Sequence, residues 1–190
     1  VFDMAAFGAV PGLTIAAPMN EPELRNMMYT ALGSGHPFMI RYPRGHGEGL
    51  PWRGEKFETL PVGRGRRLRE GADVALGTVG NAAARAAGRA AAEGVSVAHY
   101  DLRFVKPLDE ALLDEVGRKF RRVVTVEDGS LRGGVGEAVA AFFNGRGYDV
   151  RVQRLGIGDE WVEHGTPGQL YALCGYDEEG ILRALLDTRA

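Results

Sequence analysis

The sequence predicts an α/β protein built on a mostly parallel sheet. Three observations carry that expectation. Short apolar runs of strand length recur along the chain, helical stretches with one apolar face separate them, and a Gly/Pro-rich stretch near residue 50 divides the alternation into a short and a long part. Uninterrupted apolar strands between helices are the pattern of a parallel sheet covered on both faces.

In the first part, Leu13 to Ala17 is a strand-length apolar run. Asn20 follows as a helix cap, with Glu23 three residues on to complete a capping box. Leu24, Met27, Met28 and Ala31 recur at helical spacing and predict the buried stripe of that helix, which Gly33 or Gly35 ends. Pro37 to Tyr42 is the second strand. Two strands are too few for a stable sheet, so the remainder is expected from residues outside this chain. The stretch Gly45 to Gly54 holds four glycines and a proline and reads as a linker.

The second part repeats the alternation. Asp73 to Val79 and Val95 to Tyr100 flank an Ala-rich helix expected from Asn81 to Glu93. Leu108, Leu112, Leu113, Val116 and Phe120 mark the next helix, and Val123 to Val126 the next strand. Val135, Ala138, Val139, Phe142 and Phe143 form a third helical stripe, Val150 to Leu155 a further strand, and Ile181, Leu182, Leu185 and Leu186 the terminal helix. About 130 residues of this kind can fold alone.

Composition narrows the function. Charged residues make up 25% of the 190, the net charge is −2, and the basic residues are spread out, which argues against nucleic acid as a partner. No apolar run approaches the roughly 18 residues of a membrane helix. Cys174 is the single cysteine, so no internal disulfide forms and a cytoplasmic setting is expected. The chain opens on Val1 in what reads as the middle of a fold, so its natural amino terminus is expected upstream.

Few residues suggest chemistry. Arg41-Tyr42-Pro43-Arg44-Gly45 closes a parallel strand, and ligands of open α/β sheets collect beyond such strand ends. Arg44 would stand there with a planar fork of donors suited to phosphate; the alternative is that both arginines pair with surface carboxylates. Gly133-Gly134-Val135-Gly136 precedes a helix and invites comparison with a phosphate cradle, but its spacing favours a tight strand-to-helix turn. Glu127 and Asp128 are adjacent on a strand, point to opposite faces and fit a cap or a subunit contact better than an acid–base pair. His36, His46, His99 and His164 show no metal-binding spacing. His164 lies near Trp161 in a loop that reads equally as an interface or as local core, and Cys174 reads as a small core residue.

Several stretches together resemble the 1-deoxy-D-xylulose-5-phosphate synthase family, thiamine-diphosphate enzymes of the transketolase type. These are Phe2-Asp3, Val10-Pro11-Gly12, Ala17-Pro18-Met19-Asn20-Glu21, Pro37 to Gly45, Tyr100 to Asp109, Val124 to Gly129 and Gly156-Ile157-Gly158-Asp159. Arg-Tyr-Pro-Arg-Gly at 41–45 and Arg-Phe-Val-Lys-Pro-Leu-Asp at 103–109 are the most specific.

The resemblance implies that residues 1–54 are the tail of an α/β domain that binds the cofactor's aminopyrimidine. Residues 55–190 are then a complete transketolase-type carboxy-terminal α/β domain. It implies an enzyme that condenses pyruvate with glyceraldehyde 3-phosphate, releasing carbon dioxide, to give 1-deoxy-D-xylulose 5-phosphate for isoprenoid, thiamine and pyridoxal synthesis. Arg44 then contacts the phosphate of glyceraldehyde 3-phosphate. Thiamine diphosphate and Mg2+ are implied on parts of the polypeptide outside this chain, which holds no catalytic, cofactor-binding or metal-binding residue and is inactive alone. The implied partners are the remainder of the same polypeptide and a second copy in a homodimer. The competing readings are a beta subunit of a 2-oxo-acid dehydrogenase and a non-catalytic dimerisation module.

Overall fold

A computed structural model describes residues 1–43, 45, 47–54, 56–80 and 83–187. In chain order the elements are α1 (Asp3–Gly8), β1 (Thr14–Ala16), α2 (Glu21–Gly33), β2 (Phe38–Ile40), β3 (Arg66–Arg69), β4 (Val74–Val79) and α3 (Ala84–Ala92). There follow β5 (Val97–Asp101), β6 (Phe104–Lys106), α4 (Glu110–Lys119), β7 (Arg122–Ser130), α5 (Val135–Gly145), β8 (Arg151–Ile157), α6 (Pro167–Leu173) and α7 (Glu178–Leu186). The Ala-rich helix was expected from Asn81, a start that lies outside the described residues.

The larger sheet runs β3-β5-β4-β7-β8. All its pairs are parallel except β3 with β5. Every residue of the central strand β4 is buried, because helices cover both faces. On one face, Ala86, Ala87 and Ala90 of α3 pack with Ile181 and Leu185 of α7 over Val74, Leu76, Val124 and Val126. On the other, Leu113 and Val116 of α4 and Val135, Val139 and Phe143 of α5 cover Ala75, Ala98, Tyr100 and Val123. Small alanines let α3 lie close to its sheet. α4 and α7 begin on their own caps: Asp109 accepts from Leu112 N at 3.1 Å, and Asp177 from Gly180 N at 2.9 Å.

The smaller sheet departs from expectation. Besides parallel β1 and β2 it contains β6, which pairs antiparallel with β1 and comes from the long part of the chain. The strand expected from outside the chain on that side is supplied from within it. Met4, Ile15 and Ala17 accordingly belong to the same core as the larger sheet's Ala75 and Tyr100.

Two local corrections follow. Asn20 caps α2 through Glu23 N at 3.0 Å, but the Glu23 carboxylate reaches Met19 N at 3.2 Å and turns otherwise to arginines, so the reciprocal half of the capping box goes elsewhere. The buried face of α2 is Glu23, Met27 and Thr30, while Met28, expected inside, points to solvent. Arg66 of β3 and Arg103, in the turn between β5 and β6, hold Glu23 on the inner side of the helix.

Candidate site at the strand ends

In the larger sheet the chain leaves β4 first toward β5 and later toward β7, on opposite sides. Between the carboxyl ends of β4 and β7 lies the crevice where open α/β sheets bind ligands. The carboxyl ends of β1 and β2 face the same place, so Ala17, Pro18, Arg41 and Pro43 line it together with Val79, Gly80 and Asp128.

Here the crevice is filled by the chain itself. The Arg41 N–H donates to Ala16 O at 2.9 Å, continuing the β1–β2 pairing. The largely buried Arg41 guanidinium donates through Nε to Asp3 Oδ2 at 2.7 Å and through Nη2 to the Asp128 carbonyl at 2.6 Å. Only about 40 Å³ of free space remains. Burial alone would raise the Asp3 carboxyl, but the hydrogen bond and charge of Arg41 prevail and hold it below the usual range. Arg41 is thus a clamp between α1, β2 and β7.

Arg44, the residue singled out for phosphate, lies outside the described residues. Its chain neighbours Pro43 and Gly45 line a cleft of about 230 Å³ with Pro18, Met19, Asn20 and Glu21 at the start of α2. Gly45 has φ +143°, a conformation that side chains rarely adopt. His46 also lies outside the described residues.

The glycine turn before α5 is occupied by protein. Glu127, almost fully buried, accepts from Val135 N at 2.7 Å and Gly136 N at 2.9 Å. Its carboxyl is raised by burial, with those two N–H groups opposing. A Cβ on Gly134 would sit 2.2 Å from Glu127 Oε2, and one on Gly136 2.5 Å from Thr125 Oγ1. The helix start that could cradle a phosphate therefore holds a carboxylate of its own chain. Asp128 points to the opposite face, as expected for neighbours on a strand, and accepts from Tyr176 Oη at 2.9 Å.

A third space, about 620 Å³, lies between Phe2, Asp128, Glu160, Trp161, Tyr171 and Tyr176. Trp161 is 89% exposed and meets the Phe2 ring edge-on at 5.8 Å, so it is not a core residue. His164 is exposed in the same loop. Cys174 packs half-buried beside this space, its thiol raised by burial, Asp128 and Glu160, which suits packing rather than nucleophilic attack. His99 is buried against Thr78 Oγ1 at 3.0 Å and pushed down to about 4 by burial and Arg69. His36 meets Thr14 Oγ1 at 2.9 Å.

The cluster that sequence reasoning missed joins the two sheets. Glu23 Oε1 lies 2.8 Å from Arg66 Nη2 and 2.7 Å from Arg103 Nη2, while Asp101 Oδ2 lies 3.1 Å from Arg66 Nη2. Arg103 holds φ +56°, and its N–H donates to Asp101 Oδ1 at 3.1 Å. Burial and the charge of Glu23 push Asp101 up to about 6, against the pull of both arginines. The one available signal was a charged Asp-x-Arg pair between two apolar strands.

Among the described residues no group of three or more His, Cys, Asp or Glu side chains could hold a metal ion. No helix among them is long and apolar enough to cross a membrane.

Comparison with known proteins matches residues 63–181 to the family model "Transketolase, C-terminal domain". A 1-deoxy-D-xylulose-5-phosphate synthase of Bacteroides fragilis is 53% identical across all of this chain and 30% of its own length. One of Symbiobacterium thermophilum is 44% identical across 95% of this chain and 28% of its own. The chain thus spans under a third of these curated relatives. A solved structure described as a split-gene transketolase, an inactive β4 tetramer, superposes with a TM-score of 0.87 at 29% identity. It covers 97% of this chain and 60% of its own.

Proposed function

Because the chain belongs to the transketolase family through its carboxy-terminal domain, we propose that it is the carboxy-terminal part of a 1-deoxy-D-xylulose-5-phosphate synthase. The carrying observation is the 42–53% identity to proteins of that name over nearly the whole chain. On this reading the parent enzyme joins pyruvate to glyceraldehyde 3-phosphate with loss of carbon dioxide. The relatives' shared name favours this over a 2-oxo-acid dehydrogenase subunit.

Thiamine diphosphate and Mg2+ belong, in this proposal, to segments beyond the chain. The chain's own contribution is the strand-end region: Arg41 is the anchor, and Arg44 takes the acceptor's phosphate. Residues 1–54 act as the end of the pyrimidine-binding domain and 55–190 as the carboxy-terminal domain. A cytoplasmic location accords with a lone, half-buried Cys174. Self-association is also proposed, supported by the β4 assembly of the structural relative.

The test is a chimera in which this chain replaces the matching final 30% of the Bacteroides fragilis protein. A folded chimera with cofactor-dependent synthase turnover is expected. A folded chimera that binds the cofactor and decarboxylates pyruvate but forms no product would overturn the assignment.

A further inference from the structure

We propose that Arg103, acting through Glu23, is a positioning residue for the acceptor's phosphate: together they hold the Ala17–Asn20 turn, which shares a cleft with Pro43 and Gly45. The inference rests on the phosphate role proposed for Arg44 and adds what fixes the wall of the cleft next to it.

The turn leads from β1 into α2. Pro18 and Pro43 line both the strand-end crevice and the neighbouring cleft of about 230 Å³, where Met19 and Asn20 join Gly45. A group that enters beside Pro43 and Gly45 therefore meets this turn. Pro18 has no N–H, so the turn can be tied only through the N–H groups on either side of it. Arg103 accounts for both. Its carbonyl accepts from Ala17 N at 2.8 Å. Its guanidinium donates to Glu23 Oε1, from Nε at 2.8 Å and from Nη2 at 2.7 Å. The other oxygen of that carboxylate, Oε2, accepts from Met19 N at 3.2 Å. Arg66 reinforces the grip, with Nη2 2.8 Å from Glu23 Oε1 and 2.8 Å from Met19 Sδ.

The arrangement asks more of the chain than docking two sheets requires. Glu23 is only 4% exposed, a costly place for a carboxylate, and Arg103 holds φ +56°, which residues other than glycine seldom adopt. Strain and buried charge of this kind persist where the surroundings fix a working geometry. The division of labour within Glu23 points the same way. Two guanidinium groups crowd onto Oε1, which leaves Oε2 for the turn and fixes its direction. Loss of Arg103 frees Glu23 to swing toward Arg66, and Met19 N then loses its partner. The wall beside Pro43 shifts as a result, and substrate placement is sensitive to displacements of about 1 Å.

The experiment is steady-state kinetics of Arg103→Gln, Arg44→Ala and the double variant in the chimera described above, with circular dichroism as the check on folding. Arg103→Gln should raise the KM for glyceraldehyde 3-phosphate roughly tenfold and move the KM for pyruvate by less than about twofold. Arg103→Lys, which keeps a charge for Glu23, should recover part of the loss. In the Arg44→Ala background Arg103→Gln should add little, because both act on one contact. Should Arg103→Gln fail to fold, Glu23→Asp carries the test: it keeps the charge, draws the carboxylate back from Met19 N and should raise the same KM. A merely structural role would lower kcat and leave both KM values in place, which overturns the inference. So does a full additive effect in the double variant. In either case the phosphate role of Arg44 stands if Arg44→Ala alone raises the acceptor KM. An Arg44→Ala chimera with unchanged acceptor KM would overturn that role, and this inference with it.

Discussion

Arg103 and Glu23 meet across the seam between the two sheets, with Arg103 Nη2 2.7 Å and Nε 2.8 Å from the same carboxylate oxygen. Arg66 shares that oxygen at 2.8 Å. Removing the carboxylate charge leaves two guanidinium groups facing each other near Asp101 alone. Glu23→Gln is expected to destabilise the chain by about 2–3 kcal/mol, below the full cost of breaking a buried pair because Arg66 is partly solvated. Urea denaturation would show it, and an unchanged midpoint would mean that the cluster is incidental to the docking of the sheets.

Two glycines of similar appearance should respond oppositely to alanine. A Cβ on Gly136 would lie 2.5 Å from Thr125 Oγ1 and 3.0 Å from Glu127 Oε1, so Gly136→Ala should push the Glu127 cap aside and cost about 2 kcal/mol. Gly88, inside α3, has only Arg69 Nη1 within reach at 3.9 Å. Gly88→Ala should stabilise by roughly 0.5–1 kcal/mol through helix propensity. Thermal melts of the two variants should move in opposite directions.

His99 and Asp101 titrate against each other. His99 is lowered from 6.5 to about 4, so the unfolded state binds more protons in that window and stability falls as the pH drops through it. Asp101 is raised from 3.8 to about 6, so it favours the folded state as the pH drops through the overlapping range. His99→Gln keeps a partner for Thr78 and removes the first effect. The variant should therefore gain about 2–3 kcal/mol relative to wild type between pH 7 and pH 4. Denaturant curves at both pH values check the sign; a parallel pair of curves would mean that His99 titrates normally.

In the chimera proposed above, Arg44→Ala should weaken use of glyceraldehyde 3-phosphate about ten- to a hundred-fold, the worth of a charge-assisted hydrogen bond, and leave pyruvate little affected. Arg44→Lys should recover part of it. Arg41→Ala should act on stability instead, since its side chain is engaged with Asp3 and Asp128. Steady-state kinetics in both substrates separate the two, and unchanged acceptor dependence in Arg44→Ala would remove its assigned role.

The parallel core was legible because apolar runs such as Val74–Val79 and Val123–Val126 sit between helices with clear periodicity. β3 was not, since Arg66-Arg67-Leu68-Arg69 is an edge strand whose charges hide any pattern. β6 was too short to register and takes its meaning from a partner distant in sequence. The stripe on α2 was legible but its direction was not. Periodicity finds an apolar face without saying whether the protein's own core or something outside covers it. The clamp formed by Arg41 depends on three elements meeting at one crevice, which no local window contains.

The antiparallel pairing of Ile15 with Lys106 sets a schedule for the chain's birth. Synthesis delivers residues 14–16 well before their β6 partner, so their sheet lacks it until residue 106 has left the ribosome. Through that interval Ile15 and Ala16, later fully buried, have no β6 to lie against. Long-range closure of this kind is slow, and the waiting strand is open to mispairing meanwhile. Chaperone demand should therefore peak before the second α/β unit has emerged, and a ribosome stalled in the linker would release a segment prone to clump.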